Sequence, residues 1–390
     1  MMPHLVTMRV LLISHTCQSR GEGQPKAEAL ARLAGVELCV LTPNRWLHYG
    51  QWRGAHRPQN PPYRFHVGRV AWPWVGPAQN YLHWYPRLEH LLRSFRPDVI
   101  DLWEEPWGLV SAHACLLRNR LLPYARIVSE TEQNLDKTLP LPFEKFRSYT
   151  LKEADFLVGR SQEAVEVARA KGYGGPSQSV PNAVDAALFR PLNREECRRE
   201  LDVDGFVAGY VGRLVEEKGL MEMIDALPDC ERRTNLLFVG SGPFKEALEA
   251  RANQLKVANR VRFLPARPLE ELPRIMNALD VLVLPSRTTP SWKEQFGRVI
   301  IEAHACGTPV VGSSSGAIPH VVGQAGLIFP EGDARALATA LDELASDPQR
   351  AARMGQIGRT RVLEKYTWER VANQMHGIYH AVLESPRNGK

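Results

Sequence analysis

Nothing in the 390 residues approaches the roughly 18 consecutive apolar positions of a membrane-spanning helix. The first apolar run, Val10 to Ile13, is short and follows Arg9, so it reads as a buried strand and not as a signal peptide. Six cysteines, Cys17, Cys39, Cys115, Cys197, Cys230 and Cys306, stand singly with no CxxC pair. That argues against a disulfide or zinc framework and for free thiols in a reducing cytoplasm. The 12 histidines form no HExxH and no Cys/His cluster, so no metal site is expected. No Ser/His/Asp set is visible either, which leaves positioning and charge stabilisation as the means of any catalysis. The net charge of +6 comes from dispersed Arg and Lys without a nucleic-acid motif, so nucleic acid is not an expected partner. A plain soluble basic protein and attraction to an anionic substrate or lipid surface both remain open.

What is present is ordinary globular material, 44% hydrophobic and 24% charged, long enough for two domains with separate cores. Apolar strands alternate with helical stretches twice over. The first set lies near Val10–Ser14, Glu37–Thr42, Asp98–Trp103, Arg126–Glu130, Phe156–Gly159 and Gln178–Val180. The second lies near Val207–Gly212, Leu236–Gly240, Val261–Leu264, Val281–Leu284, Val310–Gly312 and Leu327–Phe329. This pattern predicts an α/β protein with two Rossmann-like parallel sheets, each covered by helices on both faces. A proline-bounded break at Pro181-Asn182 divides a first domain, 1–181, from a second, 182–368, with a hinge expected at Val180 to Val184.

Chemistry concentrates in the second half. The stretch EQFGRVIIEAHACGTPVVGSSSG holds two glutamates, Glu294 and Glu302, with seven residues between them. A helix over Phe296 to Cys306 would put Glu294 just before its N-terminus and Glu302 two turns along on a similar face. Carboxylates beside free helix N–H groups suit a ligand that is both polyol and anion, such as a nucleotide sugar, although a surface helix with solvated glutamates gives the same letters. Upstream, VAGYVGRLVEEKGL ends a strand in Gly212-Arg213 and carries Lys218 close by, two cations suited to a pyrophosphate unless Glu216 and Glu217 absorb them. In LLFVGSGP, Gly240 and Gly242 allow close backbone approach to a phosphate or ribose, or form a simple turn.

Together GRLxxEKG, FVGSGP, DVLVLPS, Glu-x7-Glu and CGTPVVGS, running from about Pro181 to Trp368, resemble the nucleotide-binding half of the retaining glycosyltransferases of family four. The resemblance implies a GT-B fold, two Rossmann-like domains facing each other across a cleft, with a helix from about 369 to 390 returning to the acceptor-side first domain. It implies that Arg213 and Lys218 bind the donor diphosphate and Glu302 the ribose, while Glu294 and the backbone of Phe296 and Gly297 hold the transferred sugar. The expected reaction moves a hexose-type sugar, with retention and without a metal, to a glycan, lipid-linked or small-molecule hydroxyl. The donor nucleotide sugar is a substrate, and no cofactor is expected. A nucleotide-sugar epimerase and a basic binding module are the alternatives.

The first domain is less explicit. Gly21 and Gly23, in QSRGEGQ after the first strand, are candidates for a loop over the donor phosphate, as in many relatives. The histidine that many relatives place after an inner strand is missing, since Arg126–Glu130 runs into Thr131-Glu132-Gln133-Asn134. Glu105, Glu132 and Asn134 are the acceptor-side candidates, with caps and solvated loop charges as the other reading; His113 reads as structural. Trp72, Trp74, Tyr81, Trp84 and Tyr85, among Arg87, His90 and Arg93, suit either a core layer or a membrane interface at the inner face.

Overall fold

The computed structural model describes residues 7–386 except Tyr49, Pro73, Trp74 and Arg232. The chain divides into two compact units, Met1–Pro181 with Trp368–Lys390, and Asn182–Thr367.

In unit 1, β1 (Met8–Ile13), β2 (Val36–Pro43), β5 (Arg64–Gly68), β6 (Val99–Leu102), β7 (Arg126–Thr131), β8 (Phe156–Gly159) and β9 (Ser177–Ser179) form a parallel sheet in the order β5-β2-β1-β6-β7-β8-β9. A separate antiparallel hairpin joins β3 (Arg45–His48) to β4 (Gln51–Gly54). Leu11, Ile13, Cys39, Leu102, Ile127 and Val110 meet in the core of unit 1. β3, β4 and β5 were not expected from sequence. Each lies at the periphery and each is partly or wholly exposed, so none carries the continuous apolar run that marks a buried strand.

In unit 2, β10 (Phe206–Val211), β11 (Thr234–Val239), β12 (Val261–Leu264), β13 (Val281–Leu284), β14 (Val310–Ser313) and β15 (Gly326–Phe329) pair in parallel in the order β12-β11-β10-β13-β14-β15. In both sheets the strand order reverses beside the first strand, between β1 and β6 and between β10 and β13. Open α/β sheets bind ligands at such a reversal, outside the carboxyl ends of the strands.

The helix Trp368–Glu384 buries Val371, Met375, Ile378 and Tyr379 against unit 1. Its Tyr379 hydroxyl donates to Asp101 Oδ2 at 2.6 Å. Beneath it lies a wholly buried ion cluster in which Lys26 and Arg160 both bond Glu130, Lys26 Nζ lies 3.5 Å from Asp101, and both cations stand over the Trp103 ring. Burial and the neighbouring Glu130 raise the Asp101 pKa. Burial pushes Glu130 the same way, but Arg160 and Lys26 overcome it and keep that carboxylate charged.

His304, fully buried on the helix Arg298–Ala305, is pushed down to about 3 by burial, with Arg361 acting in the same direction. The folded ring therefore stays neutral while the unfolded one protonates near its ordinary value. Stability present above pH 6.5 is lost as pH falls toward 3, at about 1.4 kcal/mol per unit. Between pH 7 and 5 the wild-type protein should lose about 2 kcal/mol more than His304→Leu, read from urea midpoints of unit 2. Equal losses would show that the imidazole is charged in the fold.

Candidate functional site

At the reversal of the unit 2 sheet, the loops after β10 and β13 converge. Lys218 Nζ donates to Glu294 Oε2 at 2.6 Å and stands 4.5 Å from the centre of the Trp292 ring. Ser286 Oγ, in the loop after β13, donates to the same oxygen at 2.9 Å. Glu294 is 7% exposed, so this carboxylate gives up solvent for a cation and a hydroxyl. Glycines let the strand ends close in. A Cβ on Gly240 would sit 1.8 Å from the Gly212 carbonyl oxygen, and one on Gly242 would sit 2.1 Å from that of Leu214. Gly316, at φ +54°, packs against the Glu294 carbonyl, whose oxygen also accepts from the Ala317 amide at 3.2 Å.

The helix after this loop is shorter than expected, Arg298–Ala305 in place of Phe296 to Cys306. Gly297 caps it at φ +79°, in the left-handed region, and the Phe296 ring turns into the core beside Tyr366. The two glutamates consequently sit in different settings. Glu294 lies in the loop, while Glu302 is on the helix, nearly buried and bonded by Arg298 Nε at 3.2 Å. Burial raises the Glu302 pKa, and the Arg298 guanidinium works against that rise. Arg213 follows β10 with its guanidinium 3.6 Å from Glu217 and two-fifths exposed. Part of the cluster with Glu216 and Glu217 that the letters allowed is therefore formed.

A cavity of about 770 Å³ in unit 2 lies elsewhere, at the amino ends of the strands among Pro191, Phe206, Asp280, Pro309 and Arg359. Asp280 and Arg359 are bound there to Arg198 and to backbone carbonyls, so the cavity's charged walls are structural.

In unit 1 the acceptor-side candidates are engaged within the fold. Glu105 accepts from Thr131 Oγ1 and from the Glu132 amide, each at 2.7 Å, and burial pushes it up to about 7. Glu132 lies 3.4 Å from Arg160, and Asn134 Nδ2 donates to Glu163 at 3.4 Å. Gly21 lies in the turn before the helix Gln24–Ala31, and the Gly23 amide is spent on the Thr16 carbonyl. A Cβ on Gly23 would meet Cys17 N at 2.4 Å, so a tight turn accounts for that glycine. Most of the aromatic stretch after Val70 faces inward: Tyr85 is buried, Tyr81 packs on Trp107 and Phe143, and Trp84 meets His113 edge-on. Trp74 lies outside the described residues.

The sequence reading placed Glu104 in the polar cluster after β6 but favoured its neighbour Glu105, and it passed over His15. Glu104, beside the favoured Glu105, accepts from the His15 amide at 2.5 Å and from its Nδ1 at 2.7 Å, and lies 3.6 Å from His83 Nε2. Trp46 stacks on His15 at 4.6 Å and meets His83 edge-on at 4.8 Å. The available signal was a histidine two residues after β1 and a glutamate two residues after β6.

Among the described residues, no helix is long and apolar enough to cross a membrane. Residues 193–361 match the family described as glycosyl transferases group 1. The chain is 39% identical over 207 residues to a GDP-mannose-dependent alpha-(1-6)-phosphatidylinositol monomannoside mannosyltransferase of Mycolicibacterium smegmatis, covering 50% of this chain and 54% of that protein. It is 28% identical over 388 residues to the protein of the same description from Mycobacterium tuberculosis, covering 94% and 97%. The chain thus spans about half the length of the first relative and nearly all of the second. A sucrose-phosphate synthase structure from Thermosynechococcus elongatus superposes with a TM-score of 0.76 at 24% identity, covering 96% of this chain and 99% of that one.

Proposed function

We propose that this chain, which belongs to the group 1 glycosyl transferases and has the GT-B fold, transfers mannose from GDP-mannose to a hydroxyl of a phosphate-bearing polyol, free or lipid-linked. The observation that carries the reading is the Lys218–Glu294–Ser286 group at the reversal of the second sheet, with Gly240 and Gly242 letting the loop after β11 pack backbone to backbone on the loop after β10. A cation to receive the departing diphosphate and a carboxylate to hold sugar hydroxyls stand within one hydrogen bond of each other. The names of the relatives support the donor and the phosphoinositol character of the acceptor. Retention of configuration and independence of metal belong to the same proposal, as Lys218 and Arg213 supply the charge that a divalent ion would.

The lipid-linked form of the acceptor entails contact with an anionic membrane surface. Its support is the β3–β4 hairpin, where Arg45, Trp52 and Arg53 are exposed, within a stretch from Leu38 to Leu88 that contains no Asp or Glu.

Thermal unfolding with GDP, UDP, ADP and TDP tests the donor, since a ligand at about 100 times its Kd stabilises by about 2.7 kcal/mol. GDP should give the largest shift. Transfer from GDP-mannose to an inositol phosphate in EDTA, with the product's anomeric configuration read by NMR, tests the remainder. A larger shift with UDP, inversion, or abolition of transfer by EDTA would each overturn the corresponding part.

A further inference from the structure

We propose that His15 is the side chain by which unit 1 binds the acceptor, offering Nε2 to a phosphate oxygen of the polyol, with Glu104 and Trp46 as its positioning residues. This rests on the acceptor class assigned above and extends it to a residue and an atom.

The argument begins with topology. Lys218 and Glu294 follow β10 and β13, the two strands that flank the reversal in the second sheet. His15 and Glu104 follow β1 and β6, the two strands that flank the reversal in the first. Each sheet thus places an ion-paired group at the position where open α/β sheets take their ligands.

The local geometry shows an imidazole held for use. Burial works against an ionised Glu104, but His15 and His83 overcome it and hold the carboxylate down to about 2, so it accepts and never donates. The proton on His15 Nδ1 is therefore fixed by its 2.7 Å bond to Glu104. The backbone amide bond to the other carboxylate oxygen fixes the start of the loop. Trp46 covers one face of the ring, and Trp46 itself is pinned because the Gln79 amide bonds both the N–H and the carbonyl of Leu47, at 3.0 and 2.7 Å. Orientation about every axis is thus determined. About a third of the His15 side chain remains exposed, and Nε2 has no partner among the described residues.

A ring serving only to neutralise Glu104 would not need that second nitrogen left open to solvent. Burial opposes charge on His15, but Glu104 more than offsets it, and Glu132 and Glu22 add in the same direction. The ring is thereby biased toward the form in which Nε2–H donates to an anionic oxygen.

The test is steady-state kinetics with GDP-mannose and two soluble acceptors, an inositol phosphate and unphosphorylated inositol. His15→Ala should raise the KM for the phosphorylated acceptor by about tenfold to a hundredfold, the loss expected of one hydrogen bond to a charged group. The KM for GDP-mannose and the thermal shift with GDP should stay within twofold of wild type. His15→Gln keeps an N–H near the Nε2 position and should recover part of the loss. The penalty should shrink to near unity with the unphosphorylated polyol, a dependence that a misfolded loop would not show. An unchanged acceptor KM, or equal rises for donor and acceptor, would overturn the role of His15 while leaving the transferase reading intact. If the wild-type protein binds GDP but transfers to neither acceptor, the acceptor class falls and this proposal with it.

Discussion

Lys218→Ala should lower turnover with saturating donor by about two to three orders of magnitude, the loss seen when a group that stabilises developing charge is removed. Lys218 donates to Glu294 at 2.6 Å and is flanked by the Trp292 ring. A diphosphate brings stronger negative charge than one carboxylate, and as the sugar departs that charge grows on the leaving oxygens. A compact ammonium on a flexible stem can follow it. The substitution acts on the transition state more than on the donor complex, so kcat should fall further than donor KM rises. Arg213→Ala should lower turnover by a similar factor. Arg213 is more exposed than Lys218, and its guanidinium lies 3.6 Å from Glu217. Near-normal turnover in both variants would remove the phosphate assignment for this end of β10.

The parts of this site that could be read from sequence are those built from residues close together in the chain. Strand, turn and helix in VAGYVGRLVEEKGL and LLFVGSGP follow from local periodicity, and close backbone approach requires a glycine at Gly240, where a Cβ would sit 1.8 Å from the Gly212 carbonyl oxygen. The boundary at Pro181-Asn182 was legible because prolines interrupt both flanking patterns. What could not be read was pairing between distant residues. His15 and Glu104 are 89 positions apart, and nothing in SHTCQ or DLWEEP states which of two adjacent glutamates turns toward a histidine. The burial of Lys26, Asp101, Glu130 and Arg160 in one cluster is similarly invisible, because each charge reads as solvated until its partners are placed around it. The peripheral strands escaped for a different reason: an exposed edge such as RFHVG carries no apolar run, and its strand character comes from the pairing of β5 with β2.

The separation of the two glutamates follows from their different settings. If Glu294 grips the transferred sugar, Glu294→Gln should leave affinity for free GDP nearly intact while turnover falls. Bare GDP lacks the sugar, and loss of the carboxylate frees the Lys218 ammonium from its present partner, so the diphosphate loses nothing by the change. If Glu302 holds the ribose, Glu302→Gln should weaken GDP and GDP-mannose alike, by about 1 to 3 kcal/mol, because a ribose hydroxyl would lose a charged acceptor in both complexes. Its bond from Arg298 would weaken at the same time, but that arginine is two-fifths exposed and can turn to water, so the helix Arg298–Ala305 should persist. Calorimetry with GDP reports the nucleotide affinities, and steady-state rates with GDP-mannose report the turnover. Equal weakening of GDP by both substitutions would mean that Glu294 touches the nucleotide and not the sugar. The division of roles proposed for the pair would then be wrong.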